Sequence, residues 1–227
     1  MITHLLSIVL FLSSIFSETN VQQQIQGAWK SNEVIVIISG NYFAYTTFTS
    51  SEFVNAYGGS WKIEGSNMVV TFEFNTEDPE MVGTSTSFRI SVDGNSFFVN
   101  DAILKRVDDG SPGKLAGTWL FSNRMRDGKL GSPRSADNPR KTMKILSGTR
   151  FQWIAYNVDT KEFMGTGGGT YTTIDGKYTE NIDFFSRDNS RVGASLVFDY
   201  ERKNDEWHHK GFSSKGDPIY EIWSLRK

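Results

Sequence analysis

The chain has 227 residues with a formal charge of −2, no cysteine, 21 glycines and 14% aromatic residues. A chain of this length can bury one large core or two small ones, and it does so without disulfides, thiolate nucleophiles or cysteine-bound zinc. Its 24 lysines and arginines are spread among 26 acids with no basic run, which argues against a nucleic-acid partner, while the glycine and aromatic content favours twisted strands over helices.

Met1-Ile2-Thr3-His4 leads into an apolar run over residues 5–16, followed by Ser17-Glu18-Thr19-Asn20. This layout predicts a signal peptide over residues 1–17, because the run falls short of the roughly 20 residues that a bilayer span takes. The mature chain is therefore expected to be secreted or periplasmic, with no stable membrane insertion after signal removal. A retained N-terminal anchor is the less expected outcome.

From residue 22 the chain breaks into segments of five to ten residues that alternate apolar with polar and end at Gly, Asn or Asp, the period of strands. Gln26-Gly27-Ala28-Trp29 opens this pattern, Ile38-Ser39-Gly40-Asn41-Tyr42-Phe43 and Gly58-Gly59-Ser60-Trp61 lie inside it, and the first stretch ends near residue 107. Asp108-Asp109-Gly110-Ser111-Pro112-Gly113 then reads as a linker, rich in turn formers and without an apolar residue to bury.

The pattern starts again at residue 114. Ala116-Gly117-Thr118-Trp119 echoes the first opening 90 residues on, and Leu146-Ser147-Gly148-Thr149-Arg150-Phe151 echoes the second motif 108 residues on. The growing offset implies an inserted loop over residues 124–143, where Gly128, Gly131, Pro133 and Pro139 sit among charges. Later matches hold an offset of 110, as between Gly58-Gly59 and Gly168-Gly169 or Val82-Gly83 and Val192-Gly193. Two tandem repeats follow, 22–107 and 114–227. In the second, strands are expected near 117–123, 143–147, 149–156, 163–174, 177–186, 193–203, 206–213 and 218–226, with hairpin turns at Asp175-Gly176 and Lys203-Asn204-Asp205. About eight strands per copy in up-and-down order favour an all-β protein of two antiparallel barrels.

Strand alternation permits a comparison of the copies face by face. In the first, Met68, Val70, Phe72 and Phe74 share one side of a strand, with Phe88, Ile90, Phe97 and Val99 following on later strands. Their counterparts in the second are Tyr178, Glu180, Ile182, Phe184, Phe198, Tyr200, Trp207 and His209, so one face gains a carboxylate, an imidazole and amphipathic rings. Buried polar groups cost about 1–3 kcal/mol each when unpaired, so this face is expected to line a polar cavity. Glu180 stands out, with a structural partnership to Arg150 or a tyrosine hydroxyl as its plainer role. His208 and His209 must point to opposite sides of their strand. The run Gly165-Thr166-Gly167-Gly168-Gly169 lacks the lysine and the following helix of a phosphate loop, and is expected to let the sheet bend or to make room for Trp153.

The paired Gly-x-Trp openings, and more specifically the stretch from Thr149-Arg150-Phe151-Gln152-Trp153 through Gly165-Thr166-Gly167-Gly168-Gly169-Thr170-Tyr171 to Tyr178-Thr179-Glu180, resemble the lipocalin-like, calycin-type family of exported bacterial proteins whose function is not established. The resemblance is close over the second copy and diluted over the first, where Tyr42 stands for Arg150 and Val70 for Glu180. It implies a calycin-type barrel and no particular activity.

The expected ligand-binding residues are Arg150, Trp153, Tyr171, Tyr178, Glu180, Tyr200, Trp207 and His209, around a small, partly apolar molecule in the second barrel. Arg150 alternates with Phe151 and Trp153 and joins them only if its strand bends. The sequence implies no cofactor, no metal and no catalytic residue, and it does not set the oligomeric state. Two other readings stay open: an acid/base enzyme of isomerase or hydratase type using Glu180, and a cell-envelope interaction module without a small ligand.

Overall fold

The computed structural model describes residues 21–50, 52–213 and 216–227; the expected signal segment lies outside them. Among the described residues no helix is long and apolar enough to cross a membrane.

The first copy is a closed antiparallel barrel of eight strands in sequence order: β1 (Gly27–Ser31), β2 (Val34–Ser39), β3 (Tyr42–Phe48), β4 (Phe53–Glu64), β5 (Asn67–Asn75), β6 (Ser85–Asp93), β7 (Ser96–Val99) and β8 (Ala102–Asp108). The second repeats it with β9 (Gly117–Arg126), β11 (Arg140–Leu146), β12 (Arg150–Asn157), β13 (Phe163–Ile174), β14 (Lys177–Phe185), β15 (Ser195–Lys203), β16 (Glu206–Phe212) and β17 (Pro218–Leu225), closed by pairing of β9 with β17. A short strand β10 (Lys129–Leu130) folds back on β9. The inserted segment is thus not wholly a loop: its first residues lengthen β9, its last ones lengthen β11, and β10 makes a hairpin rising from the barrel edge.

Local chemistry repeats along with the topology. Each opening tryptophan is fully buried and its indole N–H donates to a carbonyl four residues back, Trp29 to Ile25 at 2.8 Å and Trp119 to Leu115 at 2.9 Å. An arginine caps each ring, Arg106 over Trp29 and Arg202 over Trp119. The Asp175-Gly176 and Asn204 turns adopt the positive φ that tight hairpins require.

The glycine pairs mark a bulge in each barrel. Register shifts between Gly58 and Gly59 on β4 and between Gly168 and Gly169 on β13, leaving Glu73 and Asp183 as the extra residues of the partner strands. A Cβ on Gly59 or Gly169 would lie 2.0 or 1.9 Å from a backbone carbonyl oxygen of the neighbouring strand, and one on Gly167 would strike the Trp153 ring. The glycines therefore serve both bending and clearance. Beyond each bulge the strand departs from simple alternation: Phe74 and Phe184, expected inside the barrels, pack instead in the seam between them. Each bulged acid takes an arginine, Glu73 binding Arg226 and Asp183 binding Arg150.

That seam is a core in its own right. Ala28, Ile35, Ile37, Ala44, Ala56 and Phe74 of the first barrel meet Leu120, Met143, Ile145, Ile154, Tyr156 and Phe184 of the second. Strands β2 and β11 consequently bury both faces, one row into their own barrel and the other into the seam. Polar contacts fix the register of the two bodies. Gln152 accepts from Thr46 and donates to Thr166, both at 3.0 Å. Asp108, at the end of β8, accepts from the hydroxyls of Ser147 and Thr149 and from the N–H groups of Gly148 and Thr149 at 2.6–3.0 Å.

Candidate functional site

Pairing registers place the two interiors in correspondence. Lys144 lies opposite Trp153 as Val36 lies opposite Tyr45. Tyr171 is opposite Glu180 as Trp61 is opposite Val70. On the last hairpins, Trp207 faces Trp223 and His209 faces Glu221, where the first barrel has Phe97 facing Leu104 and Val99 facing Ala102. Four inward positions that are Val36, Val70, Val99 and Ala102 in one barrel are therefore Lys144, Glu180, His209 and Glu221 in the other.

Lys144 and Glu180 form an ion pair of 2.7 Å with both side chains about 6% exposed. The Lys144 ammonium also sits 4.9–5.1 Å from the ring centroids of Tyr178, Trp207 and Trp223, an aromatic cage that stabilises a desolvated cation. His209 packs against Tyr178, Phe198 and Trp207, and its nearest carboxylate oxygen, on Glu221, is 3.7 Å away, too long for a hydrogen bond. Burial and then the charge of Lys144 hold the His209 imidazole below its ordinary pKa, the nearby carboxylates opposing them. Burial pushes the Glu221 carboxyl up, but His209, Lys144 and Arg124 outweigh it and bring it down to about 2. Burial, followed by the charge of Glu180, raises the Tyr178 phenol well above its usual value. The Tyr178 hydroxyl, the indole N–H groups of Trp207 and Trp223 and both nitrogens of His209 are buried without a hydrogen-bond partner among the described residues.

Of these groups, Lys144, Glu221 and Trp223 line a cleft of about 720 Å³, and the others lie behind them. Phe121, Thr142, Lys144, Trp153, Glu221 and Trp223, inward-facing on the adjacent strands β17, β9, β11 and β12, form its inner part, and the β9–β10 hairpin and the segment leading to β11 form its rim. The first barrel has a cavity of about 450 Å³ at the matching place, lined by Ser31, Val34, Val36, Tyr45, Ala102 and Leu104 among other residues. Its interior is thus not completely filled by the apolar side chains that face it.

Of the sequence-predicted residues, Tyr178, Glu180, Trp207 and His209 come together around Lys144, and Trp153 lines the cleft. Tyr171 packs its ring at a tilt against Tyr178, but its hydroxyl is engaged, donating to the Ser147 carbonyl at 2.6 Å. Tyr200 is half-buried against the same core. Arg150 does not join them: strand alternation turns it outward, as its parity with Phe151 requires, and Asp183 pairs it. The partner of Glu180 is neither Arg150 nor a tyrosine but Lys144. His208 lies on the outer side, with Tyr220 at 3.0 Å.

Sequence reading missed Lys144, Glu221 and Trp223. Applying the offset of 108 to Lys144 lands on Val36, so the comparison that singled out Glu180 contained the signal. Glu221 carried no such signal, because the second copy's last hairpin is longer and the fixed offset breaks before β17. The chain matches no known protein family and no curated protein.

Proposed function

We propose that this is an exported binding protein that holds a small, partly apolar molecule in the cleft of its second barrel. The observation that carries this reading is the replacement of Val36, Val70, Val99 and Ala102 by Lys144, Glu180, His209 and Glu221 within an otherwise repeated framework. A barrel needs no such groups to fold, as the first one demonstrates, and desolvating them is costly. The indole N–H of Trp223, buried beside the cleft without a partner among the described residues, offers a donor to a ligand. Rings of Phe121, Trp153 and Trp223 supply flat contact area. Cleft volume lies in the range of small-molecule sites. Export rests on the apolar run over residues 5–16, and the lipocalin-like character on the repeated Gly-x-Trp openings together with barrel closure.

Binding fits the geometry better than acid/base chemistry. Glu180 is held by Lys144 at 2.7 Å and is not a free proton acceptor. A thermal-shift screen of small metabolites against the native protein and Trp153→Ala tests the reading. A compound that raises the melting temperature of the native protein by several degrees and leaves the variant unmoved supports it, whereas equal shifts in both, or none in either, overturns it.

A further inference from the structure

The rim of the second barrel's cleft is cationic in a way its floor is not. Arg126, Lys129, Arg134 and Arg140 all line it, and none of the four has a carboxylate within ion-pair distance among the described residues. The other two cations of the cleft are already matched, Lys144 by Glu180 and Arg124 by Glu221. Four uncompensated positive charges therefore gather at one opening of a chain whose formal net charge is −2. The first barrel's cavity at the matching place has no cation in its lining.

We infer that the ligand of this cleft is a small organic anion, its carboxylate, sulfonate or phosphate group lying against the rim arginines and its apolar body against Trp153 and Trp223. The inference rests on the reading of the second barrel's cleft as the binding site. Guanidinium groups suit it, since their fork of N–H donors matches the oxygens of such acids and stays charged at every working pH. The inner wall carries no unmatched charge, Lys144 being paired with Glu180 and Glu221 with Arg124, so a second charge would find no partner there and the apolar part points inward. Trp223, 3% exposed, adds an indole N–H that has no acceptor among the described residues. A clustered rim charge also raises the local concentration of anions and speeds their capture, an effect that salt weakens.

Two fluorescent probes with the same aromatic body separate the possibilities: 8-anilino-1-naphthalenesulfonate and the uncharged N-phenyl-1-naphthylamine. They are titrated against the native chain, Arg126→Gln/Arg134→Gln/Arg140→Gln, and Trp153→Ala, at low and high salt. The expected result is that the triple variant binds the sulfonate at least about tenfold more weakly, with the uncharged probe changed less than about twofold, and that salt weakens the sulfonate alone. If Trp153→Ala weakens both probes while the triple variant leaves both unchanged, the anion inference fails and the cleft remains a binding site. Should neither variant affect either probe, or neither probe bind, the site itself is lost along with the inference. The three arginines are exposed, so their replacement tests charge without removing core packing.

Discussion

The two barrels share strand order, bulge positions, buried opening tryptophans and a cavity at the same end, yet one interior is apolar and the other contains two carboxylates, an ammonium and an imidazole. Each is a control for the other. Val36 and Val70 show what the framework requires at two facing positions, and Lys144 and Glu180 show what it tolerates when both change together. Such exchanges are coupled in principle: a buried ion pair is often no more stabilising than an apolar pair of similar volume, but half of one is very costly.

The largest expected effect breaks that equivalence by halves. Glu180→Val leaves the Lys144 ammonium buried without its ion-pair partner and is expected to cost about 3–5 kcal/mol in urea unfolding. Adding Lys144→Val, which completes the first barrel's pattern, should recover most of that loss or exceed it. Additive losses in the double variant would mean that the two residues are not a unit. A smaller effect is expected at the joint between the barrels. Asp108→Ala removes a carboxylate that accepts four hydrogen bonds from the β11–β12 turn, for an expected loss of about 2–3 kcal/mol and a calorimetric transition that splits as the barrels uncouple. Burial pushes the Asp108 carboxyl up, yet its hydrogen bonds hold it below the ordinary range, so its stabilisation is present above the unfolded carboxylate value near 4 and fades as pH falls further.

The smallest effect sits at a different pH. His209 binds a proton less readily folded than unfolded, so stability should be full above about pH 6.5 and decline as pH drops below that value. Between roughly pH 7.5 and 5.5 one such group contributes at most about 1.4 kcal/mol. His209→Val, matching Val99, should flatten this part of the stability curve, and an unchanged slope would assign the decline to other groups. Depressed carboxylates such as Glu221 begin to act only below their unfolded value near 4.5, so the His209 contribution is read above about pH 5.5.

Much of the fold was legible because most strands bury one face and expose the other. On β14 and β16, Tyr178, Glu180, Trp207 and His209 alternate with exposed or half-exposed residues, and the inward row reads directly from the sequence. Strand β2 shows the opposite case. Val34-Ile35-Val36-Ile37-Ile38 has no period of two because the seam buries its outer face as fully as the barrel buries its inner one. The seam hid Lys144 for the same reason, setting it between Met143 and Ile145 in a strand that also carries the half-exposed Lys141. Phe74 and Phe184 were misplaced because a bulge re-aims the strand after one extra residue, and sequence alternation cannot register an insertion of one.

Strands β2 and β11 form a party wall between two rooms. Val36 and Lys144 face the separate cavities, while Ile35 and Ile37 meet Met143 and Ile145 in the wall itself. Close-packed interiors yield little, so any displacement of β11 would have to be taken up by the strand packed behind it. Linkage makes any such influence mutual: by whatever factor occupancy of the charged room alters the apolar one, the apolar room alters the charged one by the same factor.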